Sequence, residues 1–231
     1  PASYILTSVP ETLLTRRTWL GSLAAAALPA PAAVPTTLEE VIVVYKTHFD
    51  IDFTDMARNV VQAYRTTMID KALNIVDRTA ALPPEQRFIW TIPGWPMAQI
   101  LWPGQDPVRR RRVVEAYRNG YFATHGLPFT TETDFLDLEP LVRGLGFASR
   151  IARENGRELP RDGKMTDVMC HSWVIPTLCR HAGIDFLHIG ANEAMRLPEV
   201  PTLFWWEGPD GSRVLTFYSK GYGSGLMPPA N

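Results

Sequence analysis

Apolar runs and helical periodicities alternate along most of the chain. Residues 41–45 form a continuous apolar, β-branched run, which predicts a strand buried on both faces. Apolar residues at helical spacing follow it and predict a long amphipathic helix over residues 55–79. Further strands are predicted at 87–92, 121–124, 164–166 and 184–189, and further helices at 107–119, 138–152 and 176–183. This order predicts an α/β fold, a parallel sheet or barrel with right-handed crossovers.

The pattern changes near the C-terminal end of the chain. Residues 203–207 and 213–218 are rich in aromatic and β-branched residues and flank the sequence Gly208-Pro209-Asp210-Gly211. Proline at the second position and glycine at the fourth are typical of a tight turn. The segment therefore predicts a β-hairpin.

The first 36 residues differ from the rest. Arg16 and Arg17 precede a short apolar run, and Ala30-Pro31-Ala32 offers a small-residue cleavage site. This order predicts a twin-arginine export signal and a leader over residues 1–36, with a periplasmic or extracellular location. The apolar stretch is too short for the ~20 residues that a bilayer span needs, so no stable membrane insertion is expected.

Composition narrows the classes of partner. The 231 residues carry 23 Lys and Arg against 24 Asp and Glu, a net charge of −1, so no nucleic-acid partner is expected. Two cysteines exclude a disulfide framework and a four-cysteine zinc site. The oligomeric state is not indicated by the sequence.

Candidate chemistry lies at the carboxyl ends of predicted strands, where parallel α/β folds place their sites. His48 and Asp50 follow the first strand, and this spacing puts both side chains on one side of an extended segment, facing one metal ion. The alternative is that His48 caps the strand and Asp50 begins the helix. Asp167 follows the fourth predicted strand and is a candidate metal ligand, nucleophile or both, or else a turn cap.

Two further side chains follow predicted strands. Trp95 comes after Pro93-Gly94 and is either a platform for a sugar ring or a plug in a loop. His125 ends the third strand, from where it could reach a substrate.

These motifs together resemble glycoside hydrolase family 38, the α-mannosidases. The resemblance covers residues 40–220 and rests on four segments in the family's order and spacing: His48-Phe49-Asp50, residues 167–172, residues 182–186 and residues 204–211. It implies the N-terminal part of a seven-stranded β/α barrel, incomplete at its C-terminus, over residues 37–231. It also implies a zinc ion (Zn2+) held by His48, Asp50 and Asp167, with Asp167 as the nucleophile of a retaining hydrolase acting on α-mannoside-like carbohydrates.

The chain departs from the family's motifs at several positions. Ile51-Asp52-Phe53 stands where the family has Pro-Gly-Trp, so Phe53 is the aromatic residue expected to stack on the sugar. Three residues between Asp167 and His171 also differ, whereas His171 keeps the family's position and is expected to contact substrate. We therefore expect a divergent member of the family.

The resemblance places the acid/base residue and a last zinc-binding histidine beyond the matched stretch. Together with the start at Pro1 and the end at Asn231, this predicts a fragment that holds zinc weakly and does not complete catalysis. Two other functions stay open: a non-catalytic, metal-stabilised carbohydrate-binding protein that uses Phe53, Trp95 and Trp205, and a polysaccharide deacetylase-like enzyme. The second metal motif of such deacetylases, His-x-x-x-His, does not occur in the sequence.

Overall fold

A computed structural model of the chain describes residues 42–192 and 194–222. The predicted export signal and leader, residues 1–36, lie outside the described residues. Within the described part of the chain, no helix combines the length and the apolar character that crossing a membrane requires.

Strands and helices alternate in the described residues as the sequence pattern predicts. The strands are β1 (Tyr45–Lys46), β2 (Trp90–Pro93), β3 (Phe122–His125), β4 (Asp162–Thr166), β5 (Phe186–Ala191), β6 (Leu203–Glu207) and β7 (Arg213–Lys220). The α-helices are α1 (Ala57–Ala63), α2 (Ile69–Thr79), α3 (Gly94–Ile100), α4 (Pro107–Arg118), α5 (Leu138–Glu154) and α6 (Ile175–His181). A π-helical turn, Tyr64–Met68, joins α1 to α2, so the long helix predicted over 55–79 is present with a change of pitch inside it.

The described strands form two sheets. Strands β1, β2 and β3 are parallel neighbours in the first sheet, and the second has the order β4-β5-β7-β6 with only β6 antiparallel. The two sheets meet where the N–H of Gly126 donates to the carbonyl of Asp162 at 2.7 Å. The mixed α/β fold with parallel strands is therefore confirmed, whereas the described strands do not close into a single seven-stranded barrel.

The first strand differs from its prediction. Only Tyr45 and Lys46 pair with β2, opposite Trp90 and Thr91. Ile42 is 77% exposed and Val44 is 65% exposed, so the prediction of a strand buried on both faces was wrong for residues 42–44. Residue 41 lies outside the described residues.

Each sheet has its own apolar core. Side chains of the first sheet pack against α1 to α4 around Ile92, Met97 and Phe122, all with no exposed surface. Side chains of the second sheet pack against α5 and α6 around Met165 and Leu187. Because buried apolar surface is the main favourable term in folding, these cores fix the strand ends that carry the polar residues.

The predicted hairpin is present as β6 and β7. The N–H of Gly208 donates to the carbonyl of Ser212 at 2.8 Å and closes the turn. Gly211 has a φ of 80°, a conformation that glycine adopts without steric cost.

Candidate metal centre

Three side chains that the sequence singles out lie together at strand ends. His48 and Asp50 follow β1, and Asp167 follows β4. One potential ligand atom from each lies within 4.8 Å of the other two. His48 Nε2 is 3.1 Å from Asp50 Oδ1 and 3.7 Å from Asp167 Oδ2. We call these three residues the His48 group.

A threonine holds the other side of the His48 ring. His48 Nδ1 lies 3.2 Å from Thr166 Oγ1, which in turn lies 3.0 Å from Thr130 Oγ1. The backbone N–H of Thr166 also donates to Thr130 Oγ1 at 3.0 Å. Thr166 Oγ1 can accept a hydrogen bond from Nδ1–H while its own hydroxyl donates to Thr130. That arrangement leaves the lone pair of His48 on Nε2, the atom that faces both carboxylates.

Asp167 is positioned by its backbone and by an amide. Its φ of 73° is uncommon for a residue other than glycine, and its N–H donates to the carbonyl of Gly190 in β5 at 2.8 Å. Asn192 Nδ2 donates to Asp167 Oδ1 at 2.6 Å. Because Oδ1 is occupied in this way, Oδ2 is the oxygen that faces His48. Local backbone strain of this kind is concentrated at functional sites.

The two aromatic candidates have different surroundings. Phe53 is 86% exposed in the segment after Asp50, so one face of its ring is free to meet a ligand. Trp95 lies in the first turn of α3 and packs against Phe49 and Phe129, with ring centroids 5.6 and 5.8 Å away. These contacts favour the plug over the platform for Trp95.

The two histidine candidates are less accessible than the His48 group. His125 ends β3 with no exposed surface. Burial lowers the pKa of His171 to about 4, while Asp134 and the backbone of Val168 act in the opposite direction. Their contact with a substrate stays a prediction.

Sequence reasoning missed the residues that position the site. Thr130, Thr166 and Asn192 contact His48 or Asp167, directly or through one another. Asn192 directly follows β5, so the same strand-end argument that singled out Asp167 could have found it. Thr166 is the last residue of β4 and directly precedes Asp167, but only the tertiary structure shows that it meets a residue 118 positions away.

The donor set of the His48 group fits a zinc ion. One imidazole nitrogen and two carboxylate oxygens are ligands that zinc takes, each at ~2.0–2.2 Å. A hydrogen bond from the other imidazole nitrogen and one to a ligating carboxylate are usual around such sites, and Thr166 and Asn192 supply both. A parallel α/β fold with this group at its strand ends is typical of metal-dependent α/β enzymes.

Comparison with known proteins agrees with that class. The model of the glycosyl hydrolases family 38 N-terminal domain matches residues 39–227. An α-mannosidase from Enterococcus faecalis V583 superposes with a TM-score of 0.59 at 16% identity, over 76% of this chain and 19% of that one. A family 38 glycosyl hydrolase from Enterococcus faecalis gives 0.56 at 14% identity, over 81% and 19%. No curated protein sequence matches the chain.

A more distant similarity shows how general the fold is. The 4-α-glucanotransferase from Thermococcus litoralis superposes with a TM-score of 0.50 at 10% identity, over 76% of this chain and 27% of that one. Because the sequence identities are low, these superpositions show similarity of fold only.

The family match extends over most of the sequence, and the chain therefore belongs to glycosyl hydrolase family 38 as an N-terminal domain of that family.

Proposed function

We propose that the chain forms the metal-binding part of a zinc-dependent, retaining glycoside hydrolase that acts on α-mannoside-like glycans. The observation that carries the proposal is the approach of His48, Asp50 and Asp167 to within 4.8 Å of one another. Family membership supports a carbohydrate substrate. The chain spans about a fifth of the length of the two family 38 structures, so substrate and activity are inferences for the whole protein.

Asp167 is the nucleophile in this proposal. Its Oδ1 is held by Asn192, and its Oδ2 points away from that contact toward His48. A carboxylate that is fixed in one orientation can attack an anomeric carbon with little rearrangement of its side chain. Holding a reacting group in this way lowers the activation barrier. Retaining hydrolases form a covalent glycosyl-enzyme intermediate on such a carboxylate.

The other residues orient the substrate and the nucleophile. A bound zinc ion would supply positive charge for sugar hydroxyls and would keep the adjacent carboxylate ionised. His48 presents Nε2 because Thr166 occupies Nδ1. Phe53, exposed after the metal-ligand motif, offers an apolar ring face of the kind on which a sugar packs.

A trapping experiment tests the nucleophile. A fluorinated mannosyl fluoride loses fluoride without needing a protonated leaving group, so labelling depends on the attacking carboxylate. With the zinc-loaded chain we expect one covalent sugar on the peptide that contains Asp167, detected by mass spectrometry. D167N should remain unlabelled, while D52N, an exposed aspartate nearby, should label as the wild type does. A label on another residue, or an equal label on D167N, would reject the assignment.

A binding function without catalysis is favoured by one observation. Trp205 is 62% exposed and Phe53 is 86% exposed. Exposed aromatic side chains of this kind are available to bind a sugar ring. Under this alternative, D167N would keep its affinity for mannosides and the wild type would form no covalent adduct. F53A would still weaken binding, by about 1–3 kcal/mol.

We also propose that the protein is exported through a twin-arginine pathway. The support is the order of Arg16-Arg17, the short apolar run and the small-residue site in the sequence. Replacing both arginines with lysine should retain the protein inside the cell, whereas the wild type should be recovered from the periplasm or medium. Equal export of both would contradict the proposal.

A further inference from the structure

An open groove is lined by helices α5 and α6 and lies apart from the His48 group. Its volume is about 630 Å³, within the range of ~300–1,000 Å³ that small-molecule sites occupy. No residue of the His48 group lines it. We call it the α5–α6 groove, and its lining includes Leu145, Gly146 and Arg153 of α5 and Leu178 and His181 of α6.

The walls of the α5–α6 groove are mainly apolar. Val142 of α5 and Leu159, which precedes β4, both line the groove and are exposed. The hydroxyl of Ser149, a further lining residue, donates within α5 to the carbonyls of Leu145 and Gly146. A ligand in the groove would therefore contact apolar surface along most of its length.

A glycine inside α5 leaves space in the groove. Gly146 lies in the helix interior, where glycine is less favourable than alanine. A Cβ added at Gly146 would meet nothing within 4 Å, so no contact with the described residues requires glycine there. Gly144 on the same helix differs, because a Cβ there would lie 2.8 Å from Cγ of Pro128. The space beside Gly146 is therefore part of the groove, and a larger side chain would fill it.

The charge of the groove is positive. Arg153 lines it, is exposed and forms no ion pair with any residue that the structure describes. The other ionisable lining side chain is His181, whose Nε2 lies 3.2 Å from Asp210 Oδ2. No Asp or Glu is among the described lining residues. Since arginine stays protonated at any working pH, Arg153 offers a permanent positive charge to a ligand.

We propose that the α5–α6 groove binds a free amphipathic carboxylate, a molecule of the fatty-acid class with one apolar chain and one carboxylate head. The chain would pack against Leu145, Gly146 and Leu178, which removes apolar surface from water. The carboxylate would accept hydrogen bonds from the guanidinium of Arg153, and such charge-assisted bonds are stronger than neutral ones. This site does not depend on the glycosidase assignment.

Isothermal titration of decanoate into the metal-free chain at neutral pH tests the proposal. A chelator is present throughout, so that no heat comes from a carboxylate bound to a metal ion. We expect one decanoate site per chain. Decyltrimethylammonium has the same chain and the opposite charge, and it should bind at least about tenfold more weakly. G146L should abolish decanoate binding because the leucine fills the groove. Its urea midpoint should not fall below that of the wild type, since leucine is a better helix former than glycine.

Variants at two arginines of α5 test the carboxylate contact. R153Q should weaken decanoate binding about tenfold, and R153K should keep most of the affinity. R150Q is the matched control, because Arg150 is exposed on the same helix but does not line the groove. It should bind decanoate as the wild type does.

Four results would overturn the proposal. These are no binding of decanoate, equal binding of the two amphiphiles, unchanged binding in G146L, and equal losses in R153Q and R150Q. Sedimentation of the wild type and G146L adds a fifth. A wild-type dimer that G146L abolishes would make the groove an interface between copies of this chain instead.

Discussion

Thr166 connects the fold to the chemistry of one imidazole. It is almost fully buried, and its hydroxyl lies between His48 Nδ1, Thr130 Oγ1 and Lys46 Nζ. A hydroxyl can accept two hydrogen bonds and donate one, which matches these three neighbours. The geometry therefore fixes the orientation of His48 and accommodates the tautomer with its proton on Nδ1.

Removing that hydroxyl should weaken metal binding without removing a ligand. T166V keeps the volume of the side chain but leaves Nδ1 unpaired, and losses of about 10–100-fold in affinity are usual for such partners. We expect a loss in that range for zinc, measured by competition with a chromophoric chelator. The 15N chemical shifts of His48 should also show a mixture of tautomers.

Two variants serve as controls for T166V. T166S keeps the hydroxyl and should restore most of the affinity. T216V changes another buried threonine, whose hydroxyl donates only within its own strand to the carbonyl of Val214. If T216V weakens zinc binding as much as T166V does, the effect is a general loss of packing.

Sequence reasoning found the ligand candidates but not the residues that hold them. His48, Asp50 and Asp167 follow predicted strands, and a strand-end argument reaches such positions directly. The contact between Thr166 and His48 joins residues 118 positions apart, and nothing local in the sequence encodes it. The packing of Trp95 likewise depends on Phe49 and Phe129, which come from other segments.

At the scale of elements, helix α3 shows where hydrophobic periodicity in the sequence fails to predict a helix. Its seven residues, Gly94–Ile100, include Gly94 and Pro96, which in sequence read as a loop. Proline is tolerated in a first helical turn because the N–H it lacks would have no partner there. Two of the buried residues of α3, Met97 and Ile100, pack into the first core. A helix this short gives too few repeats for a periodic signal.

A close approach between α3 and α5 makes Gly94 sensitive to substitution. A Cβ added at Gly94 would lie 2.8 Å from the backbone nitrogen of Ala148 and 3.1 Å from its Cβ. Since a backbone atom cannot move aside cheaply, G94A should destabilise the protein by about 1–3 kcal/mol. Urea unfolding followed by circular dichroism measures the change.

Gly146 on α5 provides the matched comparison. A Cβ there meets nothing within 4 Å, and the residue lies inside the helix. G146A should therefore stabilise the protein, by about 0.5–1 kcal/mol. Equal effects of the two substitutions would contradict the described packing of α3 on α5.

At the scale of the whole molecule, the sequence predicts the class of fold better than it predicts whether the strands close into a barrel. Strand and helix order, and the hairpin of β6 and β7, follow from local patterns and are present. How the sheets join depends on contacts between strands that are distant in sequence. One such contact is the backbone hydrogen bond from the N–H of Gly126 to the carbonyl of Asp162. The exposed residues 42–44 show the same limit, because burial of a strand depends on the neighbours it acquires.

The half-buried His188 should make the whole protein sensitive to acid. Burial, then the charges of Lys164 and Lys46, lower the pKa of His188 to about 4 from its ordinary value of 6.5. Between these pH values the unfolded chain binds a proton that the folded chain does not, so stability falls as the pH drops from 6.5 toward 4. H188Q should reduce that slope, measured as urea midpoints between about pH 7 and pH 4.5. An identical slope in wild type and H188Q would contradict the assignment.

The most direct test of the metal centre is zinc titration of the purified chain and of four single variants. We expect one zinc ion per chain, with affinity lowered at least about tenfold in H48A, D50N and D167N. D52N is the matched control, because Asp52 also has a positive φ, which asparagine tolerates, but lies outside the His48 group. It should bind zinc as the wild type does. Unchanged affinity in D167N, or an equal loss in D52N, would contradict a site built from His48, Asp50 and Asp167.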